Sequence, residues 1–166
     1  PALARKAEAD PVYFFAGGPG QAASDIGPLV AALSDLRKKR DIVLVDQRGT
    51  GKSKTLSCKA SSEESSKLDP IAAAFATADG AERTEWAACL ATLQGNPAVH
   101  RTDDYIDDLE SVRKALGHQR INVWGGSYGS RVALRYMKRF PSSIRTAVLD
   151  GVAPTTLRLP DDALAT

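Results

Sequence analysis

The chain has 166 residues, 43% of them hydrophobic and 25% charged, enough for one domain with a sizeable core. Its formal net charge of +2 is too small to point to nucleic acid or an anionic membrane surface as a partner, and no segment is apolar for long enough to span a bilayer. The longest basic run, Arg37-Lys38-Lys39-Arg40, falls at a predicted helix end, where it complements the helix dipole.

Pro11-Val12-Tyr13-Phe14-Phe15 reads as a buried strand that ends in Ala16-Gly17-Gly18-Pro19-Gly20. Ile26, Leu29, Val30, Leu33 and Leu36 then recur at helical spacing. A second strand, Asp41 to Asp46, has a continuous apolar centre that suits a parallel strand covered on both faces. From about Lys54 to Arg101 the pattern changes. Ser, Lys and Glu dominate residues 61–67, Ala-rich stretches of helical promise follow, and a connection of this length reads as an insertion.

Regular alternation resumes with a helix capped by Thr102 or Asp103, with Leu109, Val112 and Leu116 as its buried stripe and Gly117 as its stop. Ile121 to Trp124 is the third strand. The next helix is expected to bury Val132, Ala133, Tyr136, Met137 and Phe140, leaving Arg131, Arg135, Lys138 and Arg139 as a solvated face. A last strand runs from Thr146 to Leu149 and ends at Asp150-Gly151. Strands alternating with helices predict an α/β fold with a parallel sheet.

The third strand runs straight into Gly125-Gly126-Ser127-Tyr128-Gly129. A serine on a strand-to-helix turn has its hydroxyl pushed out of the sheet, and the flanking glycines relieve the crowding. Ser127 is therefore the candidate nucleophile. Acyl transfer also needs a base, a group that orients it, and donors for the oxyanion. The backbone N–H of Tyr128 is the expected first donor. The second is expected from the glycine turn after the first strand: Pro19 has no N–H, so Gly18 is preferred and Gly17 is the reserve.

The base is not evident. Of the two histidines, His118 lies at the N-terminal end of the nucleophile strand, opposite the edge where a parallel sheet places its site. His100 closes the insertion, ahead of the helix leading back to that same edge. Both read as surface residues. Asp150 is on the correct edge and could orient a histidine, but it reads as a turn aspartate before Gly151. The usual order of serine, acid, histidine places both partners beyond Thr166.

Asp46-Gln47-Arg48-Gly49-Thr50-Gly51-Lys52-Ser53 ends like a phosphate-binding loop, but Asp46 stands where glycine is required and no clear helix follows. It reads as a turn in which Asp46 and Arg48 pair locally. Cys58 and Cys89 both lie in the insertion. A bridge between them would stabilise the fold by roughly 3–4 kcal/mol and imply an oxidising compartment.

Taken in order, Gly17-Gly18-Pro19-Gly20, the Asp46–Ser53 segment and Gly125–Gly129 resemble the α/β-hydrolases of the prolyl iminopeptidase and tripeptidyl aminopeptidase group. With Phe140-Pro141 and Val148-Leu149-Asp150-Gly151, the likeness covers most of the chain. The family commonly has His where Ala16 stands. The resemblance implies Ser127 as nucleophile, Tyr128 and Gly18 as oxyanion donors, and Asp46, Arg48, Gly49 and Gly51 in a structural signature loop. It also implies no metal or organic cofactor, and removal of short units from peptide N-termini. The cysteine-bearing insertion is more similar to the secreted tripeptidyl aminopeptidase branch, so a periplasmic or secreted location is expected, with a cytoplasmic one as alternative.

The same resemblance implies a partial fold. Residues 1–153 would be a core with the insertion at about 54–101, and 154–166 the start of a lid. Its four central strands would be ordered second, first, third, fourth. The lid, the C-terminal strands, the acid and the histidine would be supplied by the remainder of the hydrolase, so the chain alone is expected to show little or no turnover. Pro1 in place of an initiator Met suggests a processed or truncated start. Esterase or lipase chemistry is the alternative on this scaffold, with nucleotide binding or a non-catalytic module as remoter ones.

Overall fold

The computed structural model describes residues 7–53, 87, 90–93 and 95–157. It divides into two compact units: residues Pro1–Thr55 with Ala98–Thr155, and Leu56–Pro97 with Thr156–Thr166. In the second unit the described backbone is helical at Ala87 and at residues 90–92. The first unit carries all four described strands. Cys58 and Cys89, the expected disulfide pair, lie outside the described residues.

Strands β1 (Val12–Phe15), β2 (Ile42–Leu44), β3 (Ile121–Gly126) and β4 (Ile144–Asp150) form one sheet. Its order is β2-β1-β3-β4, with every pairing parallel. This is the expected order. Parallel neighbours require crossovers, and the helices provide them. The predicted first helix is broken into a 3-10 turn (Ala23–Ile26), α1 (Gly27–Ala32) and α2 (Ser34–Arg37). The interruption falls at Leu33, whose ψ of 45° departs from helical geometry.

Side chains alternate across the sheet. Tyr13, Phe15, Ile121 and Val123 point into a core completed by α3 (Thr102–Ala115) and α4 (Tyr128–Arg139), through Tyr105, Ile106, Leu109, Val132, Ala133 and Tyr136. On the other face Phe14 and Trp124 lie with ring centroids 4.9 Å apart. β2 is only half-buried along its length, so the expectation of a strand covered on both faces is not met. Its place at the end of the four-strand order explains why.

Helix α3 departs from its predicted stripe. Tyr105, Ile106 and Leu109 are buried, Val112 packs partly, and Leu116 is 54% exposed because it follows the last helical turn. Neither Thr102 nor Asp103 caps it. Arg101 holds the cap position, and the Asp104 carboxylate accepts its backbone N–H at 3.1 Å. In α4, Val132, Ala133 and Tyr136 are fully buried, Phe140 packs against the core and Met137 is half-buried. The expected solvated face is present, and its arginines form ion pairs and hydrogen bonds at the surface. Arg135 binds Asp103 at 2.6 Å, Arg139 binds Asp107 at 2.9 Å, and Arg131 donates to the Thr155 carbonyl at 3.1 Å.

A buried polar cluster joins the two long helices. Arg113 donates twice to Glu110, at 2.8 and 2.7 Å, and the Tyr136 hydroxyl donates to the same carboxylate at 2.7 Å. Arg113 also donates to the carbonyls of His118 and Gln119, tying α3 to the turn that enters β3. The hydrogen bonds from Arg113 hold the Glu110 pKa down at about 2, against the opposing cost of burial.

Candidate active site

Ser127 connects β3 to α4 with φ 52° and ψ −121°. Among the described residues it is the one non-glycine with positive φ. That region of backbone space is strongly disfavoured for any side chain, so the surrounding structure must impose it. The glycines on either side show how. A Cβ on Gly125 would run into the Gly129 carbonyl and come within 2.8 Å of Ser130 N. One on Gly129 would run into the Phe15 carbonyl and lie 2.8 Å from that of Ala16. The first turn of α4 therefore presses directly on the ends of β1 and β3, and only glycine allows that approach.

Main-chain and side-chain hydrogen bonds fasten the bend. Ser127 N–H donates to the Asp150 carbonyl at 2.8 Å. The Ser130 hydroxyl, fully buried, donates to the Ser127 carbonyl at 2.6 Å and accepts the Ala153 N–H at 2.8 Å. The Ser127 residue is exposed, and among the described residues its hydroxyl makes no hydrogen bond. The N–H of Tyr128 is the first of α4, one of the amides a helix start leaves unsatisfied and at its positive dipole end. The Tyr128 side chain is held by Thr102, hydroxyl to hydroxyl, at 2.7 Å.

The glycine turn after β1 lies beside the bend. The position of a Gly17 Cβ is 3.4 Å from the Ser127 Cβ and 3.4 Å from the Gly126 carbonyl. Gly17 N–H donates to Gln21 Oε1 at 3.2 Å. Gly18 has φ 103° and precedes a cis bond to Pro19. Between turn and bend opens a cleft of about 340 Å³, lined by Ser127, Gly17, Gln21 and Asp150 and by the apolar Phe14, Ile26 and Trp124. Gly17 lines it; Gly18 and Tyr128 are not among its lining residues.

The Asp46–Ser53 segment is a hydrogen-bonded strap. Asp46 does not pair with Arg48, contrary to the expectation. Its carboxylate accepts the Ser24 N–H (2.8 Å), the Ser24 hydroxyl (3.0 Å) and the Lys52 N–H (2.9 Å). Burial alone would raise its pKa, but these bonds and the Lys52 charge together hold it below the usual carboxylate value. Arg48 reaches instead to helix α3, donating two bonds of 2.6 Å to Asp108 and one of 3.2 Å to the Val99 carbonyl. Gly51 has φ 53°, and a Cβ there would collide with Asp46 and lie 2.6 Å from the Ala22 Cβ. With Asp46 occupying the Lys52 amide, the Gly51-Lys52-Ser53 turn is closed on itself and offers no phosphate cradle.

His118 sits at the N-terminal edge of the sheet, as expected, and is half-buried there. Its Nδ1 lies 2.9 Å from the Tyr13 hydroxyl, and burial lowers its pKa. His100 stands just before α3, and its carbonyl accepts a bond from Gln47; it does not line the cleft. Asp150 does line the cleft. Sequence reasoning does not single out Ser130 or Gln21, and it offers Thr102 only as a helix cap. Ser130 has a local signal, a second serine three residues into a helix, where a hydroxyl can return to the backbone.

The sequence model of the alpha/beta hydrolase fold matches residues 10–165. The chain belongs to the alpha/beta hydrolase fold family. It is 30% identical over 145 residues to the tripeptidyl aminopeptidase of Streptomyces lividans, covering 82% of this chain and 27% of that protein. It is 29% identical over 142 residues to the proline iminopeptidase of Neisseria meningitidis serogroup A, covering 86% and 32%. The chain thus spans less than a third of the length of these relatives. Among solved structures, an epoxide hydrolase from Vigna radiata superposes with a TM-score of 0.60 at 15% identity, covering 97% of this chain and 39% of that one. A proline iminopeptidase-related protein from Thermus thermophilus gives 0.55 at 21%, covering 87% and 38%. At these identities the superpositions speak for the fold alone, and the chemistry of this chain follows from its site.

Proposed function

We propose that this hydrolase chain carries the nucleophile of a serine aminopeptidase that removes short units from peptide N-termini. Ser127 Oγ attacks the scissile carbonyl carbon and passes its proton to a histidine contributed by polypeptide outside this chain. The carbonyl oxygen becomes an oxyanion held by the N–H groups of Tyr128 and Gly18. The C–N bond then breaks, the amine leaves with the proton from the histidine, and an acyl-enzyme remains on Ser127. Water, deprotonated by the same histidine, attacks the ester and restores the hydroxyl.

The observation that carries the reading is the Ser127 backbone: a strained, exposed serine at a helix start beside a glycine turn. The likeness to relatives named as aminopeptidases supports the substrate class. The reading also includes the remainder of the fold as an obligatory partner, and a Cys58–Cys89 bridge formed in an oxidising compartment, which a mass shift on reduction would reveal.

A second reading, carboxylesterase action, draws support from the apolar Phe14, Ile26 and Trp124 in the cleft. Parallel assay of the full-length protein on tripeptidyl and aminoacyl p-nitroanilides and on p-nitrophenyl acyl esters separates the two. Amide turnover that requires a free substrate N-terminus is expected; ester turnover alone would favour the second reading.

A further inference from the structure

We propose that Gln21 is a positioning residue for the oxyanion loop: its side-chain carbonyl engages the N–H of Gly17 and so leaves Gly18 as the loop's donor. The inference rests on the acyl-enzyme reading and adds a residue that reading does not require.

The turn between β1 and Gln21 has little to stiffen it. Gly17, Gly18 and Gly20 lack side chains, and Gly18 and Gly20 have φ of 103° and 109°. Glycine backbone samples both signs of φ readily, so the direction of an amide in such a turn must be imposed from outside. Gln21 does this across four residues. Its Oε1 accepts the Gly17 N–H at 3.2 Å, closing the turn into a ring. The closure occurs beside the nucleophile, because a Gly17 Cβ would be equidistant, at 3.4 Å, from Gln21 Oε1 and Ser127 Cβ. Gln21 also lines the cleft, next to where the oxyanion would form.

With the Gly17 amide engaged and Pro19 lacking an N–H, Gly18 holds the amide at this end of the turn that has no partner among the described residues. Closing the ring from Gly17 to Gln21 restricts the backbone dihedrals inside it, those of Gly18 among them, so Gln21 orients the Gly18 N–H. Catalysis depends on donors already aimed at the oxyanion position. Loss of the tie therefore acts on the transition state and not on substrate binding.

The test compares wild type, Gln21→Leu and Gln21→Glu in the full-length protein, by steady-state kinetics on a p-nitroanilide, hydrogen exchange at the Gly17 amide, and thermal melting. Leu keeps the bulk and loses the acceptor, whereas Glu keeps an acceptor. For Gln21→Leu we expect kcat to fall about tenfold to a hundredfold with KM changed less than about twofold, faster Gly17 exchange and an unchanged melting temperature. Gln21→Glu should retain slow Gly17 exchange. Wild-type kcat in Gln21→Leu, or an effect confined to KM, would overturn the assignment. An inactive wild type would remove the oxyanion role together with the acyl-enzyme reading. A Gly17 exchange rate indifferent to Gln21→Leu in an active enzyme would sink the inference alone.

Discussion

The amide of Ser127 donates to the carbonyl oxygen of Asp150 at 2.8 Å. This main-chain bond fastens the Ser127 bend to the end of β4. It also removes the N–H of Ser127 itself from the possible oxyanion donors, which leaves Tyr128. The bond needs no side chain from Asp150. Asp150→Asn is therefore expected to leave acylation of Ser127 within about twofold of wild type. If Asp150 oriented the catalytic histidine, the same change would cost orders of magnitude. Rates of phosphonylation by a fluorophosphonate decide between the two.

Backbone strain at Ser127 should be measurable as stability. A side chain at φ 52° costs on the order of 1–3 kcal/mol, and glycine largely escapes that cost while losing somewhat more chain entropy on folding. Ser127→Gly is expected to raise unfolding stability by about 1 kcal/mol while abolishing activity. Denaturant midpoints of wild type, Ser127→Gly and Ser127→Ala provide the comparison, with Ala gaining nothing.

Gly129 gives the opposite sign. A Cβ there meets the backbone carbonyls of Phe15 and Ala16, and neither can move without displacing β1 from the sheet. Gly129→Ala should destabilise by about 3 kcal/mol. Gly126→Ala, where a Cβ meets nothing within 4 Å, should be close to neutral in the same denaturant titration.

Acid should weaken the junction of α3 and α4 through Glu110. Its folded pKa of about 2 lies below the ordinary 4.5. Its contribution is thus fully present above pH 4.5 and is lost as pH falls toward the folded value. Asp46, also depressed, loses its contribution in the acid range in the same sense. Glu110→Gln would leave the buried Arg113 guanidinium without its counter-charge, at a cost of about 3 kcal/mol, and flatten the acid limb of the stability–pH curve. Urea unfolding at a series of pH values tests both.

The sheet and the Ser127 bend were legible in the sequence for local reasons. Each apolar run sits between turn residues, and Gly-x-Ser-x-Gly encodes a collision between neighbouring segments that only glycine avoids. The fate of the polar side chains was not legible, because their partners are distant in sequence. Arg48 finds Asp108 60 residues away, and Asp46 finds Ser24 22 residues back. Nothing within the Asp46–Ser53 segment distinguishes those pairings from a local one. Likewise Arg135 and Arg139 have the periodicity of the solvated face they form, but nothing local shows that α3 brings Asp103 and Asp107 beside them. Thr102 at the start of α3 meets Tyr128 at the start of α4, 26 residues on.

An activated nucleophile at Ser127 is the claim on which the proposed chemistry depends. Treating the full-length protein with a labelled fluorophosphonate and mapping the adduct by peptide mass spectrometry tests this directly. The expected result is a single adduct on Ser127, absent from Ser127→Ala. A folded protein that takes up no label, or takes it up on another residue, would contradict the claim.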